Sequence, residues 1–283
     1  MKFSNLMIFT VLTLLSIFFT PRVLAASHLI VINPVLQTAS ANDIVDVGIV
    51  GPGQKLEIVA TRASGEKAAK ITYEKEALWD RLFIIPNELP PGWSSEDSKW
   101  YEEQMHAYVT VAKDAEDGIY FFKARAFDEY EGVPALEVTF KVTVSRDLLE
   151  AQLIEKTVSV GVEQPALFHL RLKNKSSASD VFEIKISGPP STGAGTTRKA
   201  YLNRNSEDVI PIELFEGERG EYRVNFEVKS LSSNAINARD SAMLLVFTSL
   251  LHDMQAVSHG VLLFPTAEQP VYALLGLIAK MFS

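Results

Sequence analysis

The 283-residue chain has no cysteine, which excludes disulfides, zinc–thiolate sites and cysteine nucleophiles together. Basic residues are scarce as well: 27 Lys and Arg stand against 35 Asp and Glu, for a formal net charge of −8. Nucleic acid and anionic lipid surfaces are recognised through a basic footprint, so this balance argues against both as electrostatic partners. Catalytic signatures are also missing. The five histidines (His28, His106, His169, His252 and His259) are scattered, with neither a His-Glu-x-x-His pair nor a Gly-x-Ser-x-Gly elbow. Acids cluster at Asp114, Glu116 and Asp117, and again at Asp128, Glu129 and Glu131. Their spacing is not that of a calcium loop, so they read as solvated loop acids. The sequence therefore predicts a protein that is not an enzyme, with no cofactor and no resident metal.

No apolar run reaches the ~20 residues of a membrane-spanning helix. The longest near the start, Leu6 to Thr20, follows Lys2 and is ended by Pro21. With small residues at Val23-Leu24-Ala25, residues 1–25 read as a signal peptide cleaved before Ala26. That cleavage removes Lys2 and Arg22 and no acid, leaving 25 basic against 35 acidic residues, a balance of −10. Because small extracellular domains of animals commonly rely on disulfides, a cysteine-free exported chain points to a prokaryotic source.

What fills the remainder is alternation. Tyr222, Val224, Phe226 and Val228 interleave with Arg223, Asn225, Glu227 and Lys229. Leu136, Val138, Phe140, Val142 and Val144 do the same, as do Phe168, Leu170 and Leu172, and Phe182, Ile184 and Ile186. Period two over many short segments predicts antiparallel strands with one face in a core and one in water. Gly51-Pro52-Gly53, Gly188-Pro189-Pro190 and the stretch 191–197 supply the turns between them.

The alternating region contains a pattern that occurs twice. Val45, Val47 and Gly48 lead to Glu116, Gly118 and Tyr120; Val158, Val160 and Gly161 lead to Glu218, Gly220 and Tyr222. The two Gly-x-Tyr elements lie 102 residues apart, about the length of one immunoglobulin-like sandwich. The expected fold is all-β: two tandem immunoglobulin-like antiparallel sandwiches, at 26–148 and 149–253, with a hydrophobic tail at 254–283. The boundary segment Arg146 to Ile154 holds no Pro or Gly, so a fixed angle between the domains is expected. Tyr120 and Tyr222 sit where tyrosine corners form, each hydroxyl bonding back to nearby backbone.

At these residues the chain resembles the immunoglobulin-like modules of secreted bacterial and archaeal proteins, such as those attached to alpha-galactosidases or repeated in archaeal surface proteins. The motifs are Gly51-Pro52-Gly53-Gln54, Leu89-Pro90-Pro91-Gly92-Trp93 and Gly118-Ile119-Tyr120 in the first copy. The second keeps Leu172-x-Asn174, Asp180-x-Phe182 and Gly220-Glu221-Tyr222 but has no Gly-Trp. The resemblance implies a non-catalytic extracellular role in spacing, adhesion or glycan contact.

Departures between the copies mark the candidate sites. Trp79, Trp93 and Trp100, with Tyr101, fall in a stretch the second copy lacks, among Glu96, Asp97, Glu102 and Glu103. They are candidates for a sugar-stacking platform, or else Trp79 and Trp93 fill the sandwich core with Trp100 exposed. Asn174-Lys175-Ser176 is the one glycosylation sequon, placed after a strand. Val271 to Phe282 reads as a short helix behind Pro270, apolar all round, and so in need of a surface to bury it. Tyr272, Leu274, Leu275, Leu277, Ile278 and Phe282 are the expected contacts with a membrane interface, an envelope partner or the protein's own sandwich. The function predicted is binding or scaffolding at the cell envelope through this tail, with the alternative of a carbohydrate-binding module using residues 79–101.

Overall fold

The computed structural model describes residues 28–62, 79–129, 134–193 and 195–248. The expected signal peptide and tail lie outside them. The described residues form an all-β structure with two single-turn 3-10 segments, Pro86–Glu88 and Pro190–Thr192. Nine strands occupy the first half: β1 Leu29–Asn33, β2 Gln37–Ala39, β3 Ile44–Val50, β4 Lys55–Thr61, β5 Arg81–Ile84, β6 Ser94–Glu96, β7 Gln104–Thr110, β8 Gly118–Phe127 and β9 Leu136–Val144. Eight occupy the second: β10 Leu149–Leu153, β11 Thr157–Gly161, β12 Ala166–Asn174, β13 Asp180–Ser187, β14 Thr196–Leu202, β15 Ser206–Leu214, β16 Gly220–Ser230 and β17 Asn237–Phe247.

Each half is a pair of sheets. The first pairs the order β2-β1-β4-β7-β6 with β3-β9-β8-β5, and the second pairs β10-β12-β15 with β11-β17-β16-β13-β14. This is the immunoglobulin-like arrangement, in which the chain crosses between sheets so that non-consecutive strands become neighbours. Alternation sets the faces: β9 reads buried and half-buried in strict turn from Leu136 to Val144. Inward residues form two apolar clusters. Trp79, Phe122 and Phe140 anchor the first, with Phe122 and Phe140 stacked at 5.4 Å. Phe168, Phe182 and Phe226 anchor the second, with Phe168 and Phe226 at 5.7 Å.

The expectation of purely antiparallel strands needs correction. β3 runs parallel to β9 and β11 parallel to β17. In both halves the chain starts in one sheet, as β1 or β10, and then crosses to lie beside the last strand of the other. The repeated Val-x-Val-Gly segment is that crossing strand. In the second half Asp240 holds the crossing in place: its carboxylate accepts from Leu153 N at 2.7 Å and pairs with Lys156.

Candidate functional site

The Trp-rich stretch does not form a platform. Trp79 is fully buried and its indole N–H donates to His28 O at 2.8 Å. Trp93 follows Gly92, whose φ of +79° makes the turn, and its N–H donates to Pro90 O. That turn throws the indole over the sandwich interior, against Tyr120 at 5.4 Å and Phe122 at 6.5 Å. Only Trp100 and Tyr101 are exposed, at 43% and 45%. Their rings are inclined at 38° rather than coplanar, and Trp100 is taken up by Phe127 edge-on and the Arg81 guanidinium at 5.2 Å. Trp79, Trp93, Trp100 and Tyr101 therefore do not assemble into one sugar-binding face.

The polar residues of the same stretch have a structural task. Ser98 Oγ accepts from Leu82 N at 2.8 Å, Ser98 N donates to Leu82 O, and Asp97 Oδ1 accepts from Ile84 N. These bonds satisfy the open edge of β5, which would otherwise present unpaired backbone groups. Among the described residues, no three of His, Asp and Glu converge in a way that could hold a metal ion.

Both repeated tyrosines make the corner bond. Tyr120 Oη donates to Glu116 O and Tyr222 Oη to Glu218 O, each at 3.0 Å. In each copy the acidic residue that precedes Gly-x-Tyr supplies the carbonyl, so its backbone rather than its charge is used.

The best-built polar constellation lies where the halves meet. Gln54, from the Gly51-Pro52-Gly53-Gln54 turn, is 1% exposed. Its Oε1 accepts from Gly51 N at 2.8 Å and from Ser176 Oγ at 2.6 Å, and its Nε2 donates to Asp180 Oδ2 at 2.8 Å. Asp180, also buried, accepts in addition from Ser230 Oγ, Ser232 Oγ and Val181 N. A buried carboxylate met by four donors is fully satisfied, and burial makes each bond costly to lose. Around it, Ser177 N donates to Ile49 O at 2.7 Å and Ile49 N donates to Ser177 Oγ. Two glycines permit the approach: a Cβ on Gly48 would lie 2.2 Å from Ser177 Oγ, and one on Gly53 would lie 2.4 Å from Ser232 O.

This junction also occupies the sequon. Asn174 is 1% exposed; its Nδ2 donates to Ala178 O at 2.9 Å and Asn203 O at 3.0 Å, while its Oδ1 accepts from Ser176 N. A glycan needs that nitrogen free and exposed, so the expectation of a glycosylated loop at Asn174 is corrected: the side chain is an internal brace. The sequence carried a signal for the junction in the polar runs Ser176-Ser177-x-Ser179-Asp180 and Ser230-x-Ser232-Ser233. The expected tail contacts Tyr272, Leu274, Leu275, Leu277, Ile278 and Phe282 lie outside the described residues.

No protein-family model matches the chain, and no curated protein does. Solved structures with partial likeness include the CARDB domain of a Pyrococcus furiosus protein in complex with di-metal ions, at 17% identity and a TM-score of 0.27, covering 36% of this chain and 92% of that one. The D00-D0 domain of intimin is 13% identical with a TM-score of 0.26, over 77% of this chain and 99% of that one. A PapD-like domain of a human protein is 11% identical with a TM-score of 0.24, over 35% and 84%. Likenesses of this size establish no shared activity, ligand or location.

Proposed function

We propose that this chain is a non-catalytic, extracellular binding or scaffolding protein of the cell envelope, made of two immunoglobulin-like sandwiches in tandem at 26–148 and 149–253. Residues 254–283 attach it to a membrane interface or an envelope partner, after export by the signal peptide at 1–25. The observation that carries this reading is the junction of Gln54, Ser176 and Asp180. Buried, mutually satisfied hydrogen bonds between two sandwiches favour a stiff spacer, where a flexible linker would leave the halves free to reorient. A stiff spacer holds whatever its ends bind at a set distance, which is a scaffolding task rather than a catalytic one.

The experiment is cell fractionation of the wild type and of a variant lacking residues 266–283, followed by crosslinking and mass spectrometry of the membrane fraction. Wild type in the membrane fraction, with the truncated chain released to the medium, supports the reading. Wild type found wholly in the soluble fraction contradicts the attachment.

A further inference from the structure

We infer that the outer face of the β3-β9-β8-β5 sheet is a docking surface for a second copy of this chain. Five large apolar side chains stand out from that face: Ile44, Ile49, Ile119, Phe121 and Phe127, with exposures from 39% to 58%. The register makes three of them one patch. Ile49 lies beside Thr143 and Thr143 beside Ile119, in a row across three strands. The next row holds Asp46, Lys141 and Phe121 in the same order.

The repeat provides an internal control. Superposing Gly118-Ile119-Tyr120 on Gly220-Glu221-Tyr222 places Ile119 on Glu221, Phe121 on Arg223 and Phe127 on Lys229. Superposing Val45 on Val158 places Ile44 on Thr157 and Asp46 on Ser159. At these positions the same fold in the second half carries charged or hydroxyl side chains, whereas Ile49 falls on the apolar Val162. The sandwich therefore does not need an apolar residue at the positions of Ile119 and Phe121, and in the first half both are exposed.

Charge favours a like partner. The chain as a whole is acidic, so two copies repel through most of their surfaces. On this face both signs are present in pairs: Lys141 with Asp46 at 2.7 Å, Arg125 with Glu137, and Lys123 with Glu88 at 3.8 Å. A two-fold contact brings one patch against its own image, which requires a patch that is self-complementary; apolar rows flanked by both signs meet that condition. Four strands at ~4.8 Å spacing and about 3.3 Å per residue, with 7, 9, 10 and 4 residues, give a face on the order of 500 Å². Two such faces bury about 1,000 Å², the threshold of a specific interface.

The absence of cysteine makes the test site-specific. Phe121→Cys in the full chain, treated with a short bismaleimide, is compared with Arg223→Cys at the equivalent position of the second half. The expected result is a covalent species of twice the chain mass from Phe121→Cys, at least ten-fold above the yield from Arg223→Cys. Adding Ile49→Thr and Ile119→Glu, side chains of the kind the fold carries on its other polar faces, should remove it while the far-ultraviolet circular dichroism stays unchanged. Equal yields from both positions, no doubled species, or an adduct only with a different protein would overturn the inference. None of these outcomes depends on where residues 254–283 attach, so the inference and the proposed attachment fail separately.

Discussion

Gln54 Nε2 donates to Asp180 Oδ2 at 2.8 Å, joining two side chains that are 126 residues apart and both buried. One comes from a turn between β3 and β4, the other begins β13, and among the described residues no strand pairing connects their sheets. The bond ties the two halves of the chain at a buried contact rather than across a solvated surface.

Gln54→Leu removes the acceptor used by Gly51 N and Ser176 Oγ and one donor to Asp180. Stranding several buried polar groups costs on the order of 2–4 kcal/mol. At this size that lowers Tm by roughly 5–15 °C in calorimetry. Gly53→Ala should also destabilise, because it forces a Cβ onto a residue at φ +77° facing a backbone carbonyl.

Trp93 and Trp100 should separate cleanly in urea unfolding. Trp93→Ala empties a core position and should cost about 3–5 kcal/mol. Trp100→Ala removes only exposed ring and cation contacts and should cost about 1 kcal/mol. Comparable losses at the two positions would contradict the packing described for Trp93.

Asn174 should remain unmodified when the chain passes through a host that glycosylates exported sequons. Intact mass is the check, and an added glycan at this position would mean that the junction opens before modification. Asn174→Ala should destabilise by roughly 2 kcal/mol, since it leaves the buried Ala178 carbonyl without its donor.

Acid should unfold the protein through its paired carboxylates. Asp46 is held below the usual range chiefly by its bond from Lys141, with Gly48 N assisting. For Asp240 burial acts to raise the value, but the Leu153 N–H, Lys156 and the Ser241 N–H outweigh it and the net direction is down. Glu155 follows the same logic, with burial opposed by the backbone N–H and the ring of His169. A depressed folded value contributes stability that is present above the unfolded value and lost as pH falls through the folded one. Tm should therefore hold from neutral pH to about 5 and fall below it. Asp240→Asn should flatten part of that acid limb and lower Tm at pH 7.

Much of the frame was legible because period-two alternation is dictated by the pleat: Leu136 to Val144 and Tyr222 to Val228 read as strands from that alternation alone. The paired Gly-x-Tyr elements were legible because a tyrosine hydroxyl needs a partner, and backbone four residues earlier supplies it. The parallel β3–β9 and β11–β17 pairings were not legible, since alternation tells which face is buried but not which neighbour a strand takes. The junction was only half legible for a related reason: the serine runs mark polar positions but not what they meet. Gln54, Ser176, Asp180 and Ser230 look like ordinary turn residues in sequence, and only folding brings them together. Asn174 was misread because a sequon is a local pattern, whereas its exposure depends on Ala178 and Asn203, which fold over it.

The proposed stiffness of the junction is tested most directly by a distance distribution between spin labels, one on each half. Lys99→Cys and Tyr201→Cys place single labels at exposed positions in a chain that has no cysteine of its own. Pulsed electron–electron resonance on the magnetically diluted protein should give one narrow distribution, broadened when Gln54→Ala and Asp180→Ala are combined. A broad distribution in the otherwise unaltered chain, or one indifferent to those two substitutions, would contradict a fixed angle between the sandwiches.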